Sequence, residues 1–273
     1  MKKIYVLFAV VVITAALMVN VVAEGTATIF ESGDYEYTLA DGQACIVAFW
    51  GDDTTLEIPG KLEIPGKLDG YPVTSIGKDV FAYNYMASVT IPFGVIVIGE
   101  GAFRHCADLS AVIIPDSVTT VGDDVFWGCI SLTSVTIPGS VDVIGDFMFS
   151  ECNQLNKVVI LDGVTAIGSC AFDLCESLTS LTIPDSVTAI EFAAFSCCRS
   201  LAQVTIPSNV TFIDDEAFAY CNSLTSVTIP ASVTEIGEDV FKECEELVLS
   251  VAEGSYAEQY AKANKIPYVF ATE

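Results

Sequence analysis

Phe126-Trp127-Gly128-Cys129-Ile130-Ser131-Leu132-Thr133-Ser134-Val135-Thr136-Ile137-Pro138-Gly139-Ser140-Val141-Asp142-Val143-Ile144-Gly145-Asp146-Phe147-Met148 is one turn of a repeat. Its phenylalanine returns every 23 residues, at Phe103, Phe126, Phe149, Phe172, Phe195, Phe218 and Phe241. A cysteine follows each one three residues later, at Cys106, Cys129, Cys152, Cys175, Cys198, Cys221 and Cys244. A strict period of this length predicts a solenoid in which each repeat is one coil stacked on the next. Such an array favours a long binding surface over a single chemical pocket.

Within a coil, Leu132, Val135 and Ile137 recur as Leu109, Val112 and Ile114, as Leu178, Leu181 and Ile183, as Leu201, Val204 and Ile206, and as Leu224, Val227 and Ile229. Leu-x-x-Val-x-Ile ends as a strand whose alternate residues point inward. Proline follows at Pro92, Pro115, Pro138, Pro184, Pro207 and Pro230. With no N–H and a fixed φ it ends the strand and opens a turn. A second short extended stretch comes next, as in Val118 to Val121 and Val187 to Ile190. Gly99, Gly122, Gly145, Gly168 and Gly237 mark the following corner, where Glu191 and Asp214 stand in two other coils. The stretch around Ala-Phe-x-x-Cys is too short for a full helix and reads as a helical turn or 3₁₀ piece. The fold class is therefore a mainly β repeat solenoid of leucine-rich-repeat type. Each coil is expected to carry one strand of a parallel sheet, a short second strand and a helical turn.

The ends depart from the repeat, as capping requires. Tyr35 to Leu39 and Ala44 to Trp50 alternate around Asp41-Gly42, which signals a hairpin. Leu56 to Lys61 and Leu62 to Lys67 are identical copies of Leu-Glu-Ile-Pro-Gly-Lys, and one copy reads as a looped insertion. Ser255 to Asn264 reads as a helix, with Ile266 to Phe270 as a last strand. Before all of this, Lys2 and Lys3 precede an apolar run from Ile4 to Val19, and Val21-Val22-Ala23 suits a signal peptidase. The alternative is an uncleaved anchor, since Ile4 to Ala23 nearly suffices to span a bilayer. The organisation expected is a signal peptide over 1–23, an N-terminal β cap over 24–69, the solenoid over 70–252 and a C-terminal cap over 253–273.

The 273 residues are 52% hydrophobic, ample for a stacked core, and carry a net charge of −25. Loss of the two leader lysines makes the chain more acidic still. Nucleic acid and anionic membrane are poor partners for such a chain, and a membrane is reached only through an uncleaved leader. The charge reads either as repulsion that keeps flat-faced coils apart in solution or as attraction for cations or basic proteins, and the first is the expectation. Ten cysteines in an exported chain would ordinarily suggest disulfides. Seven of them share one phase beside Phe and Leu, so parallel side chains in a ladder, about 4.8 Å apart, do not aim at each other. Mostly free, buried thiols are expected. Cys45, Cys170 and Cys197 lie off this ladder, and no Cys-x-x-Cys pair suggests zinc.

Ser131 to Pro138, followed by Val-x-x-Ile-Gly and Ala-Phe-x-x-Cys, resembles the BspA-type leucine-rich repeats. Leu68-Asp69-Gly70-Tyr71-Pro72-Val73-Thr74-Ser75-Ile76-Gly77 is similar to the opening coil of such proteins. Gly254 to Glu258, continuing through Tyr268, resembles their closing cap. The resemblance covers residues 56 to 270. It implies an extracellular or surface protein of a host-associated microbe and adhesion to matrix proteins or other cells. It supplies no catalytic residue.

No site for chemistry emerges from the residues. His105 is the sole histidine, so a His-based triad or a two-histidine metal site is excluded. It adjoins Cys106, whose phase points inward, whereas a thiol nucleophile needs exposure and a depressed pKa. Carboxylates cluster at Asp123-Asp124, Asp214-Asp215-Glu216 and Glu243 to Glu246, interrupted by Cys244. Paired carboxylates serve glycoside hydrolysis, but these vary between coils and read as a solvated face. No loop has calcium-site spacing. The expectation is no cofactor, no metal and no catalysis.

The outward side of the strand is more distinctive. Thr90, Thr136, Thr182, Thr205 and Thr228 form one rank, interrupted by Ile113 and Val159. Ser88, Ser134, Ser180 and Ser226 run beside it, with Lys157 the only charge. A structural ladder of strand-favouring threonines is one reading, and a weakly polar platform for proteins is the other. These residues are the candidate ligand-binding set of a secreted or surface-displayed adhesin for matrix or cell-surface proteins. The alternatives are a structural or shielding surface protein, or a carbohydrate-active enzyme using the acidic turns.

Overall fold

The computed structural model describes residues 28–51 and 60–271. The expected signal peptide and most of the first Leu-Glu-Ile-Pro-Gly-Lys copy lie outside the described residues. The chain begins with three antiparallel strands, β1 (Phe30–Ser32), β2 (Tyr35–Ala40) and β3 (Gln43–Phe49). Asp41 and Gly42 both take positive φ, 51° and 73°, at the tight turn the Asp-Gly pair announces. Next come β4 (Lys61–Glu63), β5 (Lys67–Leu68) and β6 (Tyr71–Ile76). The repeat proper supplies β7 (Ser88–Thr90), β8 (Val97–Ile98), β9 (Ala111–Ile113), β10 (Thr120–Val121), β11 (Ser134–Ile137), β12 (Val143–Ile144), β13 (Lys157–Ile160) and β14 (Ala166–Ile167). It continues with β15 (Ala189–Ile190), β16 (Gln203–Thr205), β17 (Phe212–Ile213), β18 (Ser226–Ile229), β19 (Glu235–Ile236) and β20 (Val248–Val251). A helix, α1 (Tyr256–Asn264), and β21 (Tyr268–Phe270) close the chain.

The Leu-x-x-Val-x-Ile strands stack in parallel and in register. Ser88 lies beside Ala111 and Ser134 beside Lys157, each 23 residues on. The second strands form their own parallel column, in which Ile144, Ile167, Ile190, Ile213 and Ile236 follow one another.

The main sheet is not continuous, contrary to the expectation of one strand in every coil. It divides into β4-β7-β9-β11-β13 and β16-β18-β20-β21, and residues 178–184 between them form no strand. Leu181 and Ile183 are nonetheless buried. Leu181 occupies the slot that holds Val89, Val112, Val135, Val158, Val204 and Val227 in other coils, and Leu62 and Leu249 in β4 and β20, both of which pair as strands. The column of second strands runs unbroken through the same coil, from β12 to β19.

The third side of each coil, around the periodic phenylalanine, corrects another expectation. It is a run of overlapping turns and not a helical turn or 3₁₀ piece. The residues two before and two after the phenylalanine take positive φ, as at Phe147 and Glu151 (54° and 60°) and at Ala193 and Cys197 (51° and 57°). Alternation of right- and left-handed residues turns successive N–H groups the same way. Phe147, Phe149 and Glu151 donate to Ser169, Ala171 and Asp173 of the next coil, and Ala193, Phe195 and Cys197 donate to Asp215, Ala217 and Ala219. Coil-to-coil bonds thus alternate with short bonds inside the coil, such as Ser150 N–H to Phe147 and Cys152 N–H to Phe149, in place of a helix's continuous internal ladder. Left-handed backbone costs a non-glycine residue roughly 1–2 kcal/mol, which this bonding must offset in every coil.

The phenylalanines form one continuous stack. Phe81, Phe103, Phe126, Phe149, Phe172, Phe195, Phe218 and Phe241 follow at centroid separations of 5.2 to 5.8 Å with nearly parallel rings. Phe49 closes the column at one end, 5.2 Å from Phe81, and Tyr260 of α1 at the other, 6.2 Å from Phe241. Ser255 caps α1 by accepting the Glu258 N–H, while Glu258 reaches back to the Gly254 N–H.

Candidate binding face

Sheet register brings the outward side chains into two files. One file runs Lys61, Ser88, Ala111, Ser134 and Lys157, and resumes past the break as Gln203, Ser226 and Val248. The other runs Glu63, Thr90, Ile113, Thr136 and Val159, and resumes as Thr205, Thr228, Ser250 and Val269. Thr90, Ser134, Thr136, Lys157, Thr205 and Ser226 are exposed, while Ser88 and Thr228 are half-buried. Ser180 and Thr182 are exposed too, but they sit in the coil without a strand. The structure therefore places the anticipated set on one face, divided at Ser180 and Thr182.

The face is nearly free of charge on a chain of net charge −25. Its charges are Lys157 near the middle and the Lys61–Glu63 pair at the far end, in contact at 2.7 Å. Ile113 projects from the middle of the threonine file with 76% of its surface exposed. Ala111 and Gln203 complete the serine file and were not anticipated, although the 23-residue register identifies both. Lys61 and Glu63 escaped notice because their strand precedes Ser88 by 27 residues, outside the regular period.

The acidic turns have structural partners. Asp123 accepts the Asp146 N–H at 2.9 Å, Asp146 accepts the Ser169 N–H at 2.7 Å, and Asp215 accepts the Glu238 N–H at 2.6 Å. Each carboxylate bonds the backbone at the same corner of the following coil. Burial raises the Asp123 pKa, the bond from Asp146 N–H opposes the rise, and repulsion from Asp146 and Glu100 adds to it. Asp215, Glu238 and Asp239 do gather around a shallow depression of about 380 Å³ that Tyr260 and Asn264 of α1 help to line. Asp215 is committed to its backbone bond and Asp239 to Lys242 at 2.8 Å. Among the described residues no group of histidine, cysteine and carboxylate side chains is arranged to hold a metal.

His105 is half-buried and lies in an aromatic cluster. Its ring stacks on Tyr83 at 5.0 Å and meets Trp127 at 4.5 Å. Arg104 lies 5.7 Å over the Tyr83 ring and touches Asp79 at 3.0 Å without an aligned hydrogen bond. These residues come from three coils, Tyr83 and His105 at one phase and Arg104 and Trp127 at another, and the residue type varies at both phases, so the periodic pattern concealed the cluster. The ladder thiols face inward and donate to backbone carbonyls, as Cys129 does to Phe103 at 3.3 Å. Burial pushes the Cys129, Cys175, Cys198 and Cys221 thiols well above their ordinary pKa.

A family model described as the BspA type leucine-rich repeat region matches in six copies, over residues 74–165 and 154–255. Among solved structures, a leucine-rich repeat protein of T. pallidum is similar at 28% identity and a TM-score of 0.64, covering 72% of this chain and 91% of that one. A leucine-rich cell surface protein of Faecalibacterium prausnitzii is similar at 24% identity and a TM-score of 0.44, covering 88% and 98%. No curated protein matches the chain.

Proposed function

We propose that this chain, which belongs to the BspA-type leucine-rich repeat family, is a secreted or surface-displayed protein that binds other proteins through the strand face of its solenoid and carries out no catalysis. The observation that carries this reading is the strand face itself. It is long, exposed and almost uncharged, on a molecule whose remaining surface is strongly acidic. Desolvating hydroxyls and β-branched side chains costs far less than desolvating carboxylates, so association is least opposed on this face. Solenoids of this kind present such faces to extended partners.

The finer reading is adhesion to a matrix or cell-surface protein of a host. Ser88, Thr90, Ser134, Thr136 and Lys157 would make one half of the contact, and Thr205, Ser226 and Thr228 the other. Ser180 and Thr182 lie between the halves. The solenoid over 70–252 would carry the ligand, with the terminal caps closing its core.

Capture on immobilised extracellular matrix proteins tests the assignment. Thr136→Lys with Thr182→Lys adds charge to the face without touching the core. Asp123→Asn with Asp124→Asn removes charge from a corner, while the amide oxygen introduced at position 123 can still accept the Asp146 N–H. Loss of capture with the lysines and retention with the asparagines is the expected result. The reverse result would move the site to the acidic corner. Hydrolysis of a glycan that disappears with the asparagines would replace the binding reading by an enzymatic one.

A further inference from the structure

The two ends of the main sheet are finished differently. At the N-terminal end β4 carries Lys61 and Glu63 on its outward side, a charged pair that discourages pairing with another chain. At the C-terminal end α1 packs over β19 and β20, yet β21 remains an outer strand, joined to β20 alone. Its sequence from Ile266 through Ala271 holds no charge. Val269 is 56% exposed and Phe270 49%.

The backbone of this strand is half used. Leu249 donates to Pro267 and Ala271 donates to Val251, so residues 267, 269 and 271 turn their main-chain groups toward β20. In a parallel pair the intervening residues turn theirs the other way. Tyr268 and Phe270 therefore point N–H and C=O groups outward, and nothing among the described residues receives them. Pro267 lacks an N–H only on the inner side and does not blunt the edge.

We infer that β21 is a self-association edge, and that its occupant is β21 of a second copy of this chain in antiparallel register about a two-fold axis at Val269. In that register Tyr268 of each copy faces Phe270 of the other, and the pair exchanges both main-chain hydrogen bonds, repeated by symmetry. Val269 meets its own counterpart in the closer, non-hydrogen-bonded position. The outward groups of Tyr268 and Phe270 are thus self-complementary, as an isologous interface requires. Two chains of charge −25 repel wherever their acidic surfaces meet, and this uncharged edge lets them approach. Head-to-tail addition of β21 to β4 would build an open fibre, and the Lys61–Glu63 pair opposes it. The closed dimer joins the two four-stranded sheets, so both copies present their threonine and serine files on one continuous surface. A strand this short buries little area, so the dimer is weak and depends on concentration.

Sedimentation velocity from about 1 μM to about 1 mM spans the range in which so small an interface assembles. The wild-type chain is expected to shift from monomer to dimer across it. Val269→Lys and Val269→Asp are each expected to stay monomeric, because the axis sets like charges against each other. Their equimolar mixture is expected to regain the dimer. Amide exchange in the unaltered chain gives an independent reading: Tyr268 and Phe270 slow as concentration rises, while Val269, bonded to β20 in either state, does not. A wild-type monomer throughout the range, single variants that dimerise like wild type, a mixture that stays monomeric beside a dimeric wild type, or exchange at Tyr268 and Phe270 indifferent to concentration would each overturn the inference.

Discussion

The thiol of Cys152 donates to the carbonyl oxygen of Phe126, 3.3 Å away in the preceding coil. The same oxygen accepts the backbone N–H of Cys129 at 3.1 Å. The carbonyls of Phe103, Phe149, Phe172 and Phe195 are engaged in the same way, once by their own coil and once by the thiol of the next. Cysteine suits this phase because it is small, apolar and a weak donor. Cys152→Ala removes the donor and leaves a small void, so it should cost about 1–2 kcal/mol in urea unfolding. A loss below a few tenths would show that the sulfur only fills space.

Stability should fall as pH rises above about 9. Burial drives the ladder thiols upward, and it lifts Cys170 and Cys244 to about 11 from an ordinary 9.0. Between the unfolded and folded pKa values the unfolded chain releases a proton that the folded chain keeps. Alkali therefore favours unfolding, by about 1.4 kcal/mol per pH unit for each affected thiol. Urea midpoints at pH 7, 9 and 10.5 measure the effect, and an unchanged midpoint at pH 10.5 would refute it. Thiol reagents should find few reactive groups until denaturant is added.

Ala193 and Ala194 are adjacent, both buried, and should respond to glycine with opposite signs. Ala193 has φ 51°, a conformation glycine adopts without steric penalty. Ala193→Gly should raise stability by up to about 1 kcal/mol, whereas Ala194→Gly should lower it by about 0.5–1 kcal/mol through added backbone entropy. Differential unfolding of the two variants decides the matter, and a loss at both positions would mean that the packing of the Ala193 methyl outweighs its backbone strain.

The period of 23 was legible because Phe and Cys keep one residue type at one phase for seven turns. The hairpin at Asp41-Gly42 and the helix after Ser255 were legible through their turn and cap residues. The left-handed flanks of each phenylalanine were hidden, because Asp79, Tyr83, Phe147, Ala193 and Cys197 share no property that announces positive φ. Only Gly101 and Gly128 signal it. Of the strand face, the threonine and serine ranks were plain from alternation alone. The interruption at Ser180 and Thr182 was not, since their local sequence matches that of Ser134 and Thr136. Asp123 and Asp215 read as solvated charges because the N–H groups they accept lie a full coil away.

Truncation along the phenylalanine stack should reveal how coils share stability. Phe172 has a stacked neighbour on each side, Phe149 and Phe195, at 5.3 Å. Phe172→Ala should cost about 3–5 kcal/mol and weaken the array on both sides. Phe241 lies at the end, 6% exposed and covered edge-on by Tyr260. Phe241→Ala should loosen only the last coil and α1. Hydrogen exchange resolved by coil distinguishes the two, and equal global losses would contradict nearest-neighbour coupling.

The break in the main sheet should be visible in amide exchange. Among the described residues, Ser180, Leu181, Thr182 and Ile183 make no backbone hydrogen bond to either neighbouring coil, while Val135 and Val227 lie within paired strands. Amides without a partner exchange at the rate water reaches them, and amides in a ladder must wait for an opening. Leu181 and Ile183 should therefore exchange far faster than Val135 and Val227, although all four side chains are buried. The column of second strands holds the coils together behind the break, so fast exchange should stay local and not spread to Ala189 and Ile190. Protection at Leu181 equal to that at Val135 in the unaltered chain would show the ladder to be continuous in solution.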